Sequence, residues 1–261
     1  MELFVNGVTI HYETYGSGDA LLLLHGNGES SDIFDRAVPL LAERFTVFTV
    51  DTRGHGKSSP VSQFHYRDMA EDVIALIKAL SIQKPVLYGF SDGGIVALLV
   101  GMLAPDLCSR LIVSGVNIFP RGLNADFLRR ARRDLKRTKD PLTELMITEP
   151  DLTFDDLKQV VVPVDLIVGK NDLIRARHTL KIARALPCCS LHVLAGETHE
   201  SYIVHSEKIA KILSGLLSGG IFEVNLTHIN GKAARRHLTA GGGMSFLFHK
   251  VVRPKSAFTV S

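Results

Sequence analysis

The feature that most constrains this chain is an alternation of short, almost wholly apolar runs with stretches of helical spacing. Candidate strands are Leu3–Asn6, Ile10–Tyr15, Leu21–His25, Thr46–Asp51, Val86–Gly89, Leu111–Ser114, Val164–Gly169 and Leu191–Ala195. The last six are too apolar to alternate, as expected of parallel strands covered on both faces. The first two flank Asn6-Gly7, a hairpin signal. Met69, Val73, Leu76, Ile77 and Leu80 recur at helical spacing, as do Ile209, Ile212, Leu213, Leu216 and Leu217. Ile95–Leu103 is apolar nearly all round, as in a buried helix. Pro105 and Pro187 mark helix ends. The pattern predicts an α/β fold with an eight-stranded, mostly parallel sheet flanked by helices. The connection from Ser114 to Val164 is much longer than the others. It holds a basic helix (Asn124–Lys139) and a shorter pattern near Phe154–Val160, so a short helical cap is expected at about 117–160.

The chain has 261 residues, 46% of them apolar, enough for a large core without disulfide or metal staples. Its three cysteines, Cys108, Cys188 and Cys189, form neither a disulfide framework nor a zinc pattern. The N-terminus shows no leader, and no run reaches the roughly 20 apolar residues of a membrane span. A cytoplasmic location is expected. The formal charge of +3 is uneven. Residues 219–261 hold six basic residues and one acidic residue, leaving 24 basic and 26 acidic in 1–218. The expected division is a catalytic-type domain over 1–218 and an appended basic tail over 219–261, disordered or weakly structured. The alternative for the tail is a hairpin of Ile221–Leu226 with Met244–Val252.

The strongest motif is Gly89-Phe90-Ser91-Asp92-Gly93. It follows the strand at Val86 and opens the helix through Ile95, so Ser91 is expected on a tight strand-to-helix turn. Serine is a weak nucleophile at its free pKa. It needs a base, and the base needs an orienting carboxylate. Asp172 follows the strand Val164–Gly169, and His199 follows Leu191–Ala195. Both therefore fall on the same sheet edge as Ser91, at spacings of 81 and 27 residues. Glu197 is the close rival to Asp172. His192 lies inside a strand, His205 in or beside the last helix, and Asp165 at the wrong strand end. Asn117 cannot carry the charge.

An oxyanion needs two aimed N–H donors. One is expected from Asp92, after the nucleophile. The other is expected from Asn27, with Gly28 as the alternative, in His25-Gly26-Asn27-Gly28. His25 is then a loop-shaping residue.

HGNG after one strand, DTRGHGKSS after the next (Asp51–Ser59), GFSDGG, VGKND and GETHES resemble the α/β-hydrolase superfamily over about residues 3–217. The resemblance implies a serine hydrolase, closest to a group of small esterases, valacyclovir hydrolase-like enzymes, meta-cleavage-product hydrolases and cofactor-free perhydrolases. Serine at 91 disfavours members with an aspartate nucleophile. The GxSDGG turn is most similar to the valacyclovir hydrolase-like enzymes, and this implies an ammonium-binding role for Asp92 in the substrate site, beside Gly28. The expected substrate is a small or medium carboxylic ester, and no metal or cofactor is implied. C–C bond hydrolysis and perhydrolysis would use the same triad. A non-catalytic receptor on the same fold is the alternative from another class.

Other motifs fail. Gly56-Lys57-Ser58 lacks the phosphate-loop glycine at Asp51, His199-Glu200 lacks the second zinc histidine at Ile203, and Gly26-Asn27-Gly28 lacks a third glycine at Ser31. The cap helix carries Arg129, Arg130, Arg132, Arg133, Lys136, Arg137 and Lys139 opposite a narrow apolar stripe. A solvated face is expected, with no nucleic-acid partner, because the aromatic interleaving of a strand binder is missing.

Overall fold

The computed structural model describes residues 1–218, so both expectations for the tail lie outside the described residues. The strands are β1 (Glu2–Val5), β2 (Val8–Tyr15), β3 (Asp19–Leu24), β4 (Phe45–Val50), β5 (Val86–Phe90), β6 (Arg110–Ser114), β7 (Val164–Gly169) and β8 (Cys189–Leu194). They form one sheet in the order β1-β2-β4-β3-β5-β6-β7-β8. β2 runs antiparallel to β1 and β4, and the other neighbours pair in parallel. β1 and β2 are joined by Asn6 and Gly7, at φ 46° and 80°. Two successive positive φ values suit the right-handed twist of a hairpin, and glycine adopts them without strain.

Helices cover both faces: α1 (Val38–Leu41), α2 (Tyr66–Ala79), α3 (Asp92–Leu103), α4 (Ala125–Thr138), α5 (Pro141–Thr148), α6 (Ala176–Ala185) and α7 (Lys208–Leu217). One core layer joins α2 and α3 to the sheet through Val73, Leu76, Val96 and Leu98. The opposite layer joins α1 and α7 through Leu41, Ile209 and Leu213. Full burial of each such side chain contributes roughly 1.5–3 kcal/mol.

The structure moves several expected boundaries. α3 starts at Asp92, ahead of Ile95, because Gly93 and Gly94 carry no apolar periodicity yet pack closely. The pattern near Phe154–Val160 is only a 3-10 turn, Asp156–Gln159. α5 has no counterpart in the periodic pattern. Its signal is at its start: Asp140 accepts the Leu142 and Thr143 N–H groups and Pro141 occupies the first turn.

The β6–β7 connection carries α4 and α5. Asn124 N–H donates to the Leu173 carbonyl at 2.9 Å, and Arg175 N–H donates to the Gly122 carbonyl at 2.9 Å. Those two bonds fasten this segment to the loop that holds Asp172.

Candidate active site

Parallel pairing brings the ends of β3, β5, β7 and β8 to one sheet edge. Leu24 is level with Gly89, Ser114 with Ile167, and Gly169 with Leu194. The residues that follow these ends build the site.

Ser91 has φ 51° and ψ −113°. A non-glycine residue held there stores on the order of 1–3 kcal/mol of strain. The surroundings enforce it: Ser91 N–H donates to the Ser114 carbonyl at 2.8 Å, and Gly94 and Ile95 N–H donate back to the Ser91 carbonyl at 2.9 and 3.0 Å. A Cβ at Gly89 would overlap the Gly93 carbonyl, and one at Gly93 would overlap the Leu24 carbonyl. Small residues at 89 and 93 are thus a packing requirement.

The structure brings Ser91, His199 and Asp172 together. His199 Nε2 is 3.0 Å from Ser91 Oγ, and His199 Nδ1 is 2.7 Å from Asp172 Oδ1. With the Nδ1 proton donated to the carboxylate, the Nε2 lone pair faces the Ser91 hydroxyl, so the hydroxyl donates. Asp172 Oδ1 also accepts the Ile174 N–H at 2.9 Å. The Asp172 side chain is 1% exposed, so this hydrogen bond is shielded from water. Glu197 is engaged elsewhere, accepting from Ser201 Oγ and Lys208 Nζ at 2.7 Å each.

Gly115 belongs to the site without any motif to mark it. A Cβ there would come within 2.7 Å of His199 Cε1, so any larger residue would displace the ring. The Phe90 ring lies 5.0 Å from the imidazole on another side.

The loop after β3 is held through most of its backbone N–H groups. His25 Nδ1 donates to the Gly26 carbonyl at 2.8 Å, while His25 Nε2 accepts the Thr52 N–H at 3.1 Å. Gly28 N–H donates to His55 Nε2 at 3.2 Å. Gly28, the alternative oxyanion donor, therefore has its N–H committed. Among the described residues, neither the Asn27 nor the Asp92 N–H meets an acceptor. Burial pushes the His25 pKa down to about 4, so the ring stays neutral in its shaping role.

The Asp92 carboxylate is nearly buried. It accepts from Asn27 Nδ2 at 2.9 Å and from the Tyr66 hydroxyl, and burial pushes its pKa up to about 6. Asn27 Nδ2 also donates to the Leu142 carbonyl of α5 at 3.2 Å. Glu29 sits beside this cluster. Its Oε2 accepts the Gly26 N–H at 2.8 Å, and burial pushes its pKa up to about 7. Neither Glu29 nor Tyr66 carries a local sequence signal.

The other candidates lie away from the centre. His192 pairs with Asp165 at 2.7 Å, and His205 pairs with Asp35 at 3.0 Å ahead of α7. Among the described residues, no group of three or more His, Cys, Asp or Glu is placed to hold a metal, and no helix is long and apolar enough to cross a membrane.

Residues 19–144 match the family model described as alpha/beta hydrolase fold. The chain is 36% identical over 153 residues to serine hydrolase BPHL from Homo sapiens, covering 54% of this chain and 52% of that protein. It thus spans about half the length of the curated relatives it matches. Carboxylesterase CesB (YbfK) from Bacillus subtilis superposes with a TM-score of 0.72 at 20% identity, over 85% of this chain and 92% of that one. The enol-lactonase from Burkholderia xenovorans LB400 gives 0.67 at 20% identity, over 84% and 100%. With this sheet order, and with that family's model spanning the strands that build the Ser91 turn, the chain has the alpha/beta hydrolase fold.

Proposed function

We propose that the protein hydrolyses small or medium carboxylic esters through an acyl-enzyme on Ser91. The observation that carries this reading is the continuous hydrogen-bond chain from Ser91 Oγ through His199 to Asp172. Ser91 Oγ attacks the carbonyl carbon as His199 Nε2 takes its proton, and Asp172 stabilises the imidazolium. The free N–H groups of Asn27 and Asp92 receive the oxyanion. His199 then protonates the leaving alcohol. In the second half, His199 activates a water that attacks the acyl carbon, and the carboxylic acid departs with Ser91 regenerated. A lactone is a cyclic ester and would follow the same path, and one structural neighbour is an enol-lactonase.

A fluorophosphonate probe tests the nucleophile. Labelling is expected on Ser91 and lost in His199→Ala; a folded wild-type protein that stays unlabelled would refute the reading. Turnover of p-nitrophenyl esters and lactones then sets the acyl size.

One observation favours a narrower substrate class. Asp92 meets neutral donors, Asn27 and Tyr66, and no cation among the described residues. An α-amino ester would supply that cation. Such esters should then exceed their des-amino analogues in kcat/KM, and Asp92→Asn should remove the preference. Equal rates on both would discard it.

A further inference from the structure

The loop Gly26–Glu29 is closed on itself by one side chain. Gly26 N–H donates to Glu29 Oε2 at 2.8 Å, and Glu29 N–H returns to the Gly26 carbonyl at 3.4 Å. The ring spans Asn27 and Gly28. From outside, His25 and His55 hold the Gly26 carbonyl and the Gly28 N–H. The fit is tight: a Cβ on Gly26 would sit 2.6 Å from Glu29 Oε2 and 3.3 Å from the Phe90 ring. Peptide planes on both sides of Asn27 are thereby set, and its N–H is the one left over.

We propose that Glu29 is a positioning residue, whose carboxylate clamps the loop so that the Asn27 N–H faces the oxyanion formed at Ser91. The inference rests on the hydrolase reading above. It adds a role for a carboxyl group that the proton path itself does not use. The charged and titratable groups facing Glu29 are His199, Glu200 and Asp92, with His25 and His55 acting through the loop. Burial and the two acidic neighbours hold part of the Glu29 population protonated near neutral pH, against the pull of the Gly26 N–H and His199. Loss of that proton makes the Gly26 bond charge-assisted and therefore stronger. It also places a negative charge near the imidazolium that forms on His199. The clamp should thus tighten, and turnover rise, as pH passes about 7.

The test uses the full chain with p-nitrophenyl butyrate, together with amide NMR of Gly26. Glu29→Ala should lower kcat about 10- to 100-fold with KM nearly unchanged, because a misaimed donor is lost mainly in the transition state. Glu29→Gln keeps an acceptor for the Gly26 N–H and should recover most of that rate. Its pH profile should lack the step near 7. The Gly26 amide shift should titrate near 7 in the wild type and stay flat in Glu29→Gln. Unchanged kcat in Glu29→Ala, or a Gly26 amide that does not titrate in the wild type, would overturn the proposal. A wild type that turns over no ester while Gly26 titrates would sink the hydrolase reading and with it the oxyanion role, leaving only the Glu29–Gly26 contact. An active enzyme with a silent Gly26 would sink the clamp alone.

Discussion

Helix α3 buries nine of its twelve residues, whereas α4 buries only Leu128 and Ala131 of fourteen. α3 has no side-chain cap and rests on the close approach of Gly93 and Gly94 to neighbouring elements. α4 follows local helix rules instead. Asn124 caps its first turn, Asp126 sits at the positive end, and Lys136 and Arg137 sit at the negative end. Arg129 pairs with Asp126 one turn away, as Arg137 does with Asp134. The difference shows where the molecule keeps rigidity. Ser91 caps α3, so the hydroxyl proposed to react sits at the start of the most fully buried helix. The cap surface is free to carry charge.

Five measurements would sharpen or break that contrast. Ser91→Ala should lower kcat on p-nitrophenyl esters by about 10⁴- to 10⁶-fold, with little change in melting temperature. Leu98→Ala, deep in α3, should cost about 2–5 kcal/mol in urea unfolding, through lost burial and a residual cavity. A loss under 1 kcal/mol would mean that α3 is less tightly held than its burial implies.

The third measurement concerns one buried histidine on each side. His25 accepts from Thr52 N–H near the start of α3, and His178 accepts from Ile118 N–H where the cap begins. Burial pushes both pKa values down to about 4 from 6.5. Between those limits the unfolded chain binds more protons than the folded one. The stability from each is therefore full above about 6.5, falls as pH drops toward 4, and levels off below. The loss is on the order of 3 kcal/mol each. Glu29, raised to about 7, acts with the opposite sign between about 4.5 and 7. His178→Gln should remove one proton's worth of the slope in urea midpoints between pH 6.5 and 4, and an unchanged slope would contradict this account.

Two smaller effects belong to α4. Asn124→Ala removes the acceptor for the Phe127 N–H at 2.8 Å and should cost about 1 kcal/mol. Replacing exposed Arg130 and Arg133 together by Gln should change stability by no more than about 0.5 kcal/mol. A larger loss would show that the basic face packs against something.

Much of the fold is legible without coordinates. Apolar runs such as Leu21–Leu24 and Val164–Gly169 become buried parallel strands, and Asn6-Gly7 becomes the hairpin turn. Strand ends drift by a residue or two because pairing partners, not composition, decide where a ladder stops. α5 escapes because eight residues are too few to establish a period, although Asp140-Pro141 marks its start. In the site, Ser91, Asp172 and His199 follow strands whose order and apolarity are local properties. Glu29, Tyr66 and Gly115 have no such signal, since each matters only through what the folded chain sets beside it.

The sequence by itself therefore determined the layered architecture and the sheet edge that gathers the reactive side chains, because periodicity and turn chemistry act within a few residues along the chain. Only the tertiary structure decided which carboxylate meets His199. It also decided which backbone N–H groups remain free, and which carboxyl groups hold a proton near neutral pH. Those outcomes depend on partners as far apart along the chain as Ser91 and His199, or Glu29 and Glu200, and on how far each group is removed from water.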